Sequence, residues 1–519
     1  MIIKTFLKAE DMTPHVIFEK IRKKISFEIA FSFLSTVVIG LIAHFFIFTN
    51  YLPNWDGFNN FYDSQNTISL GRCFLSVACG LTSFYDLPWI NGLISLFYLG
   101  AISVLISSLL GLFKKSSRFI LSGILVSFPV ITSTFSYMYT ADGYILALLC
   151  MTLAIFFTIN YKKGFIPGLF LICFATGCYQ ATITFASTLI LVISIKKLLI
   201  DLCSAKELLK LWVKLILTVL FGLILYFLSN KILLLIQNVN LANYQGIGNI
   251  HLVNPITSAL NCIIDFAYFF IGSISKISFY SILNLILFVF IVYRIFSETL
   301  RKGLIKKSGS LVLLILSLLL IPFSCFAIYF ISDTVHYHTL MQSGLFMIYA
   351  LAIVLYENLG DRKFEIIQQW AFLILSLLIM YNFILLANIC YQKQNIAYQK
   401  SMKIVDSIVT DIRKADNGGI AEEIAILGHL SEEQSISIKF PPEMVGFTDS
   451  ILMTSSTHYA NILQTYYSMH YTAVSEEKLQ ELSASLDPQM PAWPEDGSVF
   501  LRDNTLIINF EILFIIVSP

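Results

Sequence analysis

Charge is scarce in this 519-residue chain: Asp, Glu, Lys and Arg supply 13% of it, where soluble globular chains carry about 25%. With 57% hydrophobic residues, the apolar surface exceeds what a core in water can bury, which excludes an ordinary soluble domain and calls for a bilayer as solvent. Net charge is only +1, so no global field attracts nucleic acid, and no basic, aromatic-interleaved face is present to bind it. The nine cysteines show no CxxC and no metal-ligand spacing; most lie inside apolar runs, as Cys150, Cys173, Cys325 and Cys390 do, and read as small buried hydrophobes. None follows Cys390, so nothing beyond it can be braced by disulfides. No phosphate-binding glycine loop and no GxGxxG occurs, so neither a nucleotide nor any other cofactor is expected. A small-residue cleavage site is also missing from residues 1–26, where Lys20, Arg22, Lys23 and Lys24 precede a long apolar run. That stretch reads as an amphipathic cytoplasmic segment before a retained first span, not as a cleaved signal.

What the chain has in abundance is long apolar runs. About 20 such residues cross the hydrocarbon core. Eleven runs qualify as spans: 27–49, 88–113, 119–137, 143–161, 165–179, 181–198, 211–235, 279–296, 308–331, 339–357 and 366–390. The fifth is short, so it and the sixth can form a tight or re-entrant hairpin closed at Cys178-Tyr179-Gln180. Counting from a cytoplasmic N-terminus places most basic residues inside: Lys114, Lys115 and Arg118; Lys162 and Lys163; Lys196, Lys197, Lys206 and Lys210; Arg294, Arg301, Lys302, Lys306 and Lys307; Arg362 and Lys363. The opposite loops hold only Arg72, Lys231 and Lys276, the asymmetry that orients membrane proteins. The run 256–273 carries Asp265 mid-way, costly in lipid, and as a crossing it would put the basic cluster 294–307 outside. It reads as a helix in or near the outer interface.

The fold class is therefore a polytopic α-helical membrane protein of about eleven spans, residues 27–390, with outer loops at 50–87 and 237–278. Residues 391–519 form a small outer α/β domain in which 17 acids face 8 bases. Within it 396–414 has helical apolar spacing, AILGHL and SISIKF read as strands, and PAWPEDGSVFLRDNTLIINF reads as a hairpin turning at Asp503-Asn504. The last run, ILFIIVSP, is too short to span.

Polar and aromatic residues concentrate in the outer loops. The first, 51–81, holds Asp56 beside Trp55, then Asp63 and Gly71-Arg72. A carboxylate partly desolvated among aromatics gains basicity, which suits a general base, and an arginine grips phosphate with two parallel bonds; a solvated loop with an Asx-turn and one salt bridge would look the same. Asp142, in SYMYTADGY, fits a helix N-cap or a functional carboxylate. Tyr179 and Gln180 can bind sugar hydroxyls or satisfy a turn. Asp333, His336 and His338 stand near the end of the ninth run; a His-x-His pair without a third ligand gives no metal site. Tyr244, His251 and Asn254 add polar groups to the long outer loop.

Four segments together resemble the phage-type O-antigen glucosyltransferases, the Gtr family: NWDGFNN followed by SLGRCF, FSYMYTADGYILALLCMTLA, TGCYQATI, and MPAWPEDGSVFLRDNTLII. The likeness extends from about residue 30 to 510, with Cys73 where an aromatic often follows the Gly-Arg pair. The resemblance implies a GT-C-like enzyme of the bacterial inner membrane. It would take a sugar, expected to be glucose, from undecaprenyl phosphate in the periplasmic leaflet and attach it to lipopolysaccharide O-antigen, causing serotype conversion. By position it implies Asp56 as catalytic base and Arg72 at the carrier phosphate. Asp63, Asp142, Tyr179 and Gln180 would line the site, with His336 and His338 where the family offers an arginine. A flippase would need polar residues through the spans and internal symmetry, and a polymerase or ligase arginine-rich outer loops; neither pattern is present.

Overall fold

The computed structural model describes residues 13–57, 61–243, 245, 253–271, 279–332, 335–428, 430, 444–448, 450–485 and 490–510. Asp333, Tyr244, His251 and the segments SISIKF and ILFIIVSP lie outside them. The chain is a helical bundle capped by a small mixed sheet. A short helix α1 (Pro14–Lys24) leads to α2 (Phe27–Thr49), whose first turn is capped by Ser26. After the first loop come α3 (Leu75–Cys79) and α4 (Pro88–Leu110), which starts at a proline and stops at Gly111 in the left-handed conformation. Next are α5 (Lys115–Ser127) and α6 (Pro129–Phe135), bent by 42°. Pro129 has no amide proton to donate, so the helix restarts there. They are followed by α7 (Met138–Asn160), α8 (Phe165–Cys178), α9 (Thr182–Leu199), α10 (Ala205–Gln237), α11 (Pro255–Ile271), α12 (Phe279–Arg301), α13 (Ser308–Cys325), α14 (Phe346–Glu357) and α15 (Lys363–Ala415).

Among the described residues eight helices are long and apolar enough to cross a membrane, or nine if α5 and α6 make one broken span. The eleven-span reading would also need α8 and α14, 14 and 12 residues long. The 17-residue α11 is likewise short of about 20. It packs on the α13 end, where Tyr329 donates to Asp265 at 2.6 Å and so offsets that carboxylate's burial.

The two ends of the bundle differ. At one end, Glu298 lies between Arg294 (2.5 Å) and Arg301 (2.7 Å), with Glu365 3.4 Å from Arg301, and Glu357 accepts from the Phe113 and Lys114 amides. The other end carries the loops after α2 and α8. His44 ties the bundle together in its middle: its ring nitrogens meet the Tyr391 hydroxyl at 2.6 Å and the Val126 carbonyl at 2.8 Å, joining α2, α5 and α15.

A boundary at 390 does not interrupt the helix. The eleventh apolar run and the amphipathic segment after it are one 53-residue helix, α15, because no proline or glycine separates them. Its polar half buries Val405, Ile408, Val409 and Ile412 against a sheet of order β2-β1-β4-β3. The strands are β1 (Glu423–Leu427), β2 (Thr472–Ala473), β3 (Val499–Arg502) and β4 (Thr505–Asn509), with α16 (Ser456–Tyr467) and α17 (Glu476–Ser485) between them. The β1 strand pairs in parallel with β2 and β4; β3 and β4 form the antiparallel hairpin, turning at Asp503 (φ 46°) and Asn504 (φ 64°), the left-handed pair that a two-residue turn requires.

Candidate functional site

The loop between α2 and α3 owes its shape to local chemistry. Asn54, fully buried, accepts the Gly57 amide at 2.8 Å, a local side-chain-to-backbone bond that carries Trp55 and Asp56 around the bend. Gly57 has no room for a Cβ, which would lie 2.7 Å from Pro53. From α15, buried Gln394 donates to the Pro53 carbonyl. Trp55 packs against the core between α15 and the sheet, and His458 of α16 bonds to its backbone. Asp56 is thus held between the bundle and the C-terminal region.

Arg72 comes to the same place through a second set of supports. Gly71 adopts φ +73°, a conformation that favours glycine. The Gln180 amide donates to the Leu70 carbonyl (2.9 Å), and the Tyr226 hydroxyl donates to the Gly71 carbonyl (2.9 Å). The Phe74 amide binds the Gly177 carbonyl at 2.8 Å, fastening the loop to the end of α8. The Arg72 guanidinium then lies 5.8 Å from the Tyr144 ring and 5.7 Å from the Tyr179 ring. These two rings stack at 4.5 Å, a cation–π arrangement. Burial pushes the Asp56 carboxyl above the usual carboxylate range, and the nearby Arg72 opposes that shift. Burial lowers His338 to about 4, helped by His336 and Arg72, so this ring is neutral near pH 7. Its Nδ1 has no hydrogen-bond partner among the described residues. His336 is exposed, and its amide donates to Gln245 at 2.7 Å.

The structure thus brings together Asp56, Arg72, Tyr179 and His338, with Tyr139 and Tyr144 of α7. Gln180 stands behind Arg72 as a support. Asp63 serves the loop itself: its carboxylate accepts the Gln65 amide at 2.7 Å and its amide donates to Phe84. Asp142 is not an N-cap. With no breaker after Tyr137, α7 starts at Met138, which puts Asp142 inside the helix, fully buried beside Asn91 of α4 and Cys79. Sequence reasoning passed over Tyr139, Tyr144 and Tyr226, whose signal was an aromatic-rich helix start and a lone polar ring in α10. It also passed over Gln394, His458 and Asp86, which only tertiary contact brings to the site.

Long apolar helices with an acid, an arginine and an aromatic stack at one end make this a multi-pass membrane protein with an enzyme-like polar site. The chain belongs to the glucosyl transferase GtrII family, whose sequence profile matches residues 45–349. No curated protein and no solved structure matches it. The match runs from the end of α2 into α14 and so includes Asp56, Arg72, Tyr144, Tyr179 and His338. Membership makes the chain a glycosyltransferase.

Gly71→Ala is expected to cut sugar transfer by at least about tenfold. A Cβ there would lie 2.6 Å from Gln180 Nε2 and 2.8 Å from the Tyr226 hydroxyl, displacing Arg72, and misplacement by about 1 Å can cost 10²-fold. Transfer assays alongside detergent-phase melting curves check this, with melting expected to shift only slightly.

Proposed function

We propose that the chain transfers a sugar, glucose in the family's usual reaction, from undecaprenyl phosphate to lipopolysaccharide O-antigen at the periplasmic face of the bacterial inner membrane. The observation that carries the reading is the pairing of a half-buried carboxylate, Asp56, with the Arg72 guanidinium at the end of the bundle away from the basic cluster. Asp56 takes the proton of the acceptor hydroxyl as that oxygen bonds to the anomeric carbon. The bond from that carbon to the phosphate oxygen breaks, and its electron pair stays on the phosphate, which leaves as a monoester. Arg72 offsets the charge gained there. Tyr144 and Tyr179 hold the guanidinium in place, and neutral His338 donates or accepts a hydrogen bond and adds no charge.

Orientation follows from charge. Lys114, Arg118, Arg294, Arg301 and Lys363 mark the cytoplasmic end, which leaves the Asp56 loop and the C-terminal sheet outside. Apolar grooves line the flanks of the bundle; one of about 530 Å³ between α9, α10 and α13 ends at Ser324 and Phe330 and suits a prenyl chain. A flippase reading is not favoured, since the Asp56–Arg72 pair and its aromatic stack sit at one end of the bundle and not along a path through it.

The test is the O-antigen itself. Cells carrying the gene are expected to show one added sugar branch per repeat by glycan mass spectrometry and NMR, and cells lacking it the bare repeat. Identical glycans in both would refute the proposal.

A further inference from the structure

A second buried carboxylate ends the loop that carries the proposed base. Asp86 closes the first loop: its amide donates to the Phe61 carbonyl at 2.9 Å, Tyr85 bridges Tyr62, and Pro88 then opens α4. Its side chain is 3% exposed. It lines a small recess with Asn50, Gly57, Ser136 and Tyr139. Gly57 is the residue after Asp56, and the Tyr139 ring senses the Asp56 charge, so the recess adjoins the site.

The carboxylate is unsatisfied. Among the described residues, Asp86 Oδ1 has no hydrogen-bond partner, and no Lys, Arg or His lines the recess. Three other buried acids have partners: Glu298 has two arginines, Glu365 has Arg301, and Asp416 accepts the Ile420 and Ala421 amides; Asp142, inside α7, shares the lack but does not line this recess. Burying a carboxylate without a partner is costly, and burial raises Asp86 to about 7. A purely structural role would gain from asparagine in place of Asp86, or from a neighbouring donor, and no such donor is found among the described residues.

The space available is about 10 Å³, close to what one water occupies. A whole sugar ring does not fit, but one hydroxyl does. We infer that Asp86 is a specificity-determining residue whose carboxylate accepts a hydrogen bond from a single sugar hydroxyl inserted into the recess beside Asp56. This rests on the reading of the reaction given above. The hydroxyl belongs either to the transferred sugar or to the acceptor residue.

The test uses the purified full chain, wild type and the variants Asp86→Asn and Asp86→Ala. The probes are polyprenyl-phosphate glucose, its 2-, 3-, 4- and 6-deoxy forms, and O-antigen oligosaccharides lacking single hydroxyls. For the wild type, removal of one particular hydroxyl is expected to lower kcat/KM by about 100-fold, as expected where a buried charged group loses its partner. Whether that hydroxyl lies on donor or acceptor identifies the source. In both variants full and deoxy substrates should become equivalent at that position, with kcat/KM on the full substrate reduced to a similar level. Asp86→Asn should melt at or above the wild-type temperature at pH 8. The inference fails if the variants keep the wild-type penalty at every position, if they keep full activity, or if Asp86→Asn melts lower, which would mark the carboxylate as structural. A wild-type chain inactive on the lipid-linked donor would overturn the reaction itself, and this inference with it.

Discussion

Asp56→Asn is expected to lower kcat by about 10³-fold, within the range a general base contributes, while leaving donor KM and membrane abundance close to wild type. The side chains are nearly isosteric, and the asparagine amide can keep the loop's contacts, but it cannot take the acceptor's proton. Wild-type activity should rise with pH through the Asp56 pKa, which burial places above the ordinary carboxylate range, and be lost below it, where the base is protonated. In Asp56→Asn that acid limb should vanish. Rates measured from pH 4 to 8 with donor in excess check both points, and an unchanged profile in the variant would assign the limb to another group.

Arg72→Gln should act in two ways. Loss of the cation facing the leaving phosphate is expected to cost about 10²- to 10³-fold in kcat, comparable to removing one oxyanion donor. It should also move the acid limb. Arg72 holds the Asp56 pKa down against burial, so without it the carboxyl stays protonated to higher pH and the limb shifts upward. A variant slowed without that shift would mean the two groups do not share a field. Lys at position 72 should restore the limb more than the rate, since it keeps the charge but loses the fork.

The bundle was legible because lipid leaves little freedom: every crossing must be apolar and helical, and the runs from Phe27 to Cys390 announce themselves. Breaks and junctions were harder to read. Pro129 stood in plain view in an apolar run that read as one span, yet it splits α5 from α6. The polarity change near residue 391 resembled a domain boundary, but a helix ends only where backbone chemistry ends it, and α15 continues to Ala415. Asp142 matched a cap by residue type and failed because the helix began four residues earlier.

The site was legible in part for a similar reason. Asp56 and Arg72 are far apart in chemistry from their apolar surroundings, so they stood out. Their supports did not. Gln180 looked like a sugar contact at a hairpin tip, and only the fold shows it bonded to the Leu70 carbonyl behind Arg72. Gln394 and His458 lie over 300 residues from the loop they hold, in segments without any motif. Asp86, between Tyr85 and Leu87, resembles an ordinary turn until the recess around it is seen.

The most direct measurement is transfer of labelled glucose by the purified chain to isolated O-antigen, with polyprenyl-phosphate glucose or a nucleotide sugar as the only donor. Wild type should use the lipid-linked donor alone, and Asp56→Asn should leave it untouched. Equal transfer by the two proteins, or transfer from the nucleotide sugar, would contradict the account.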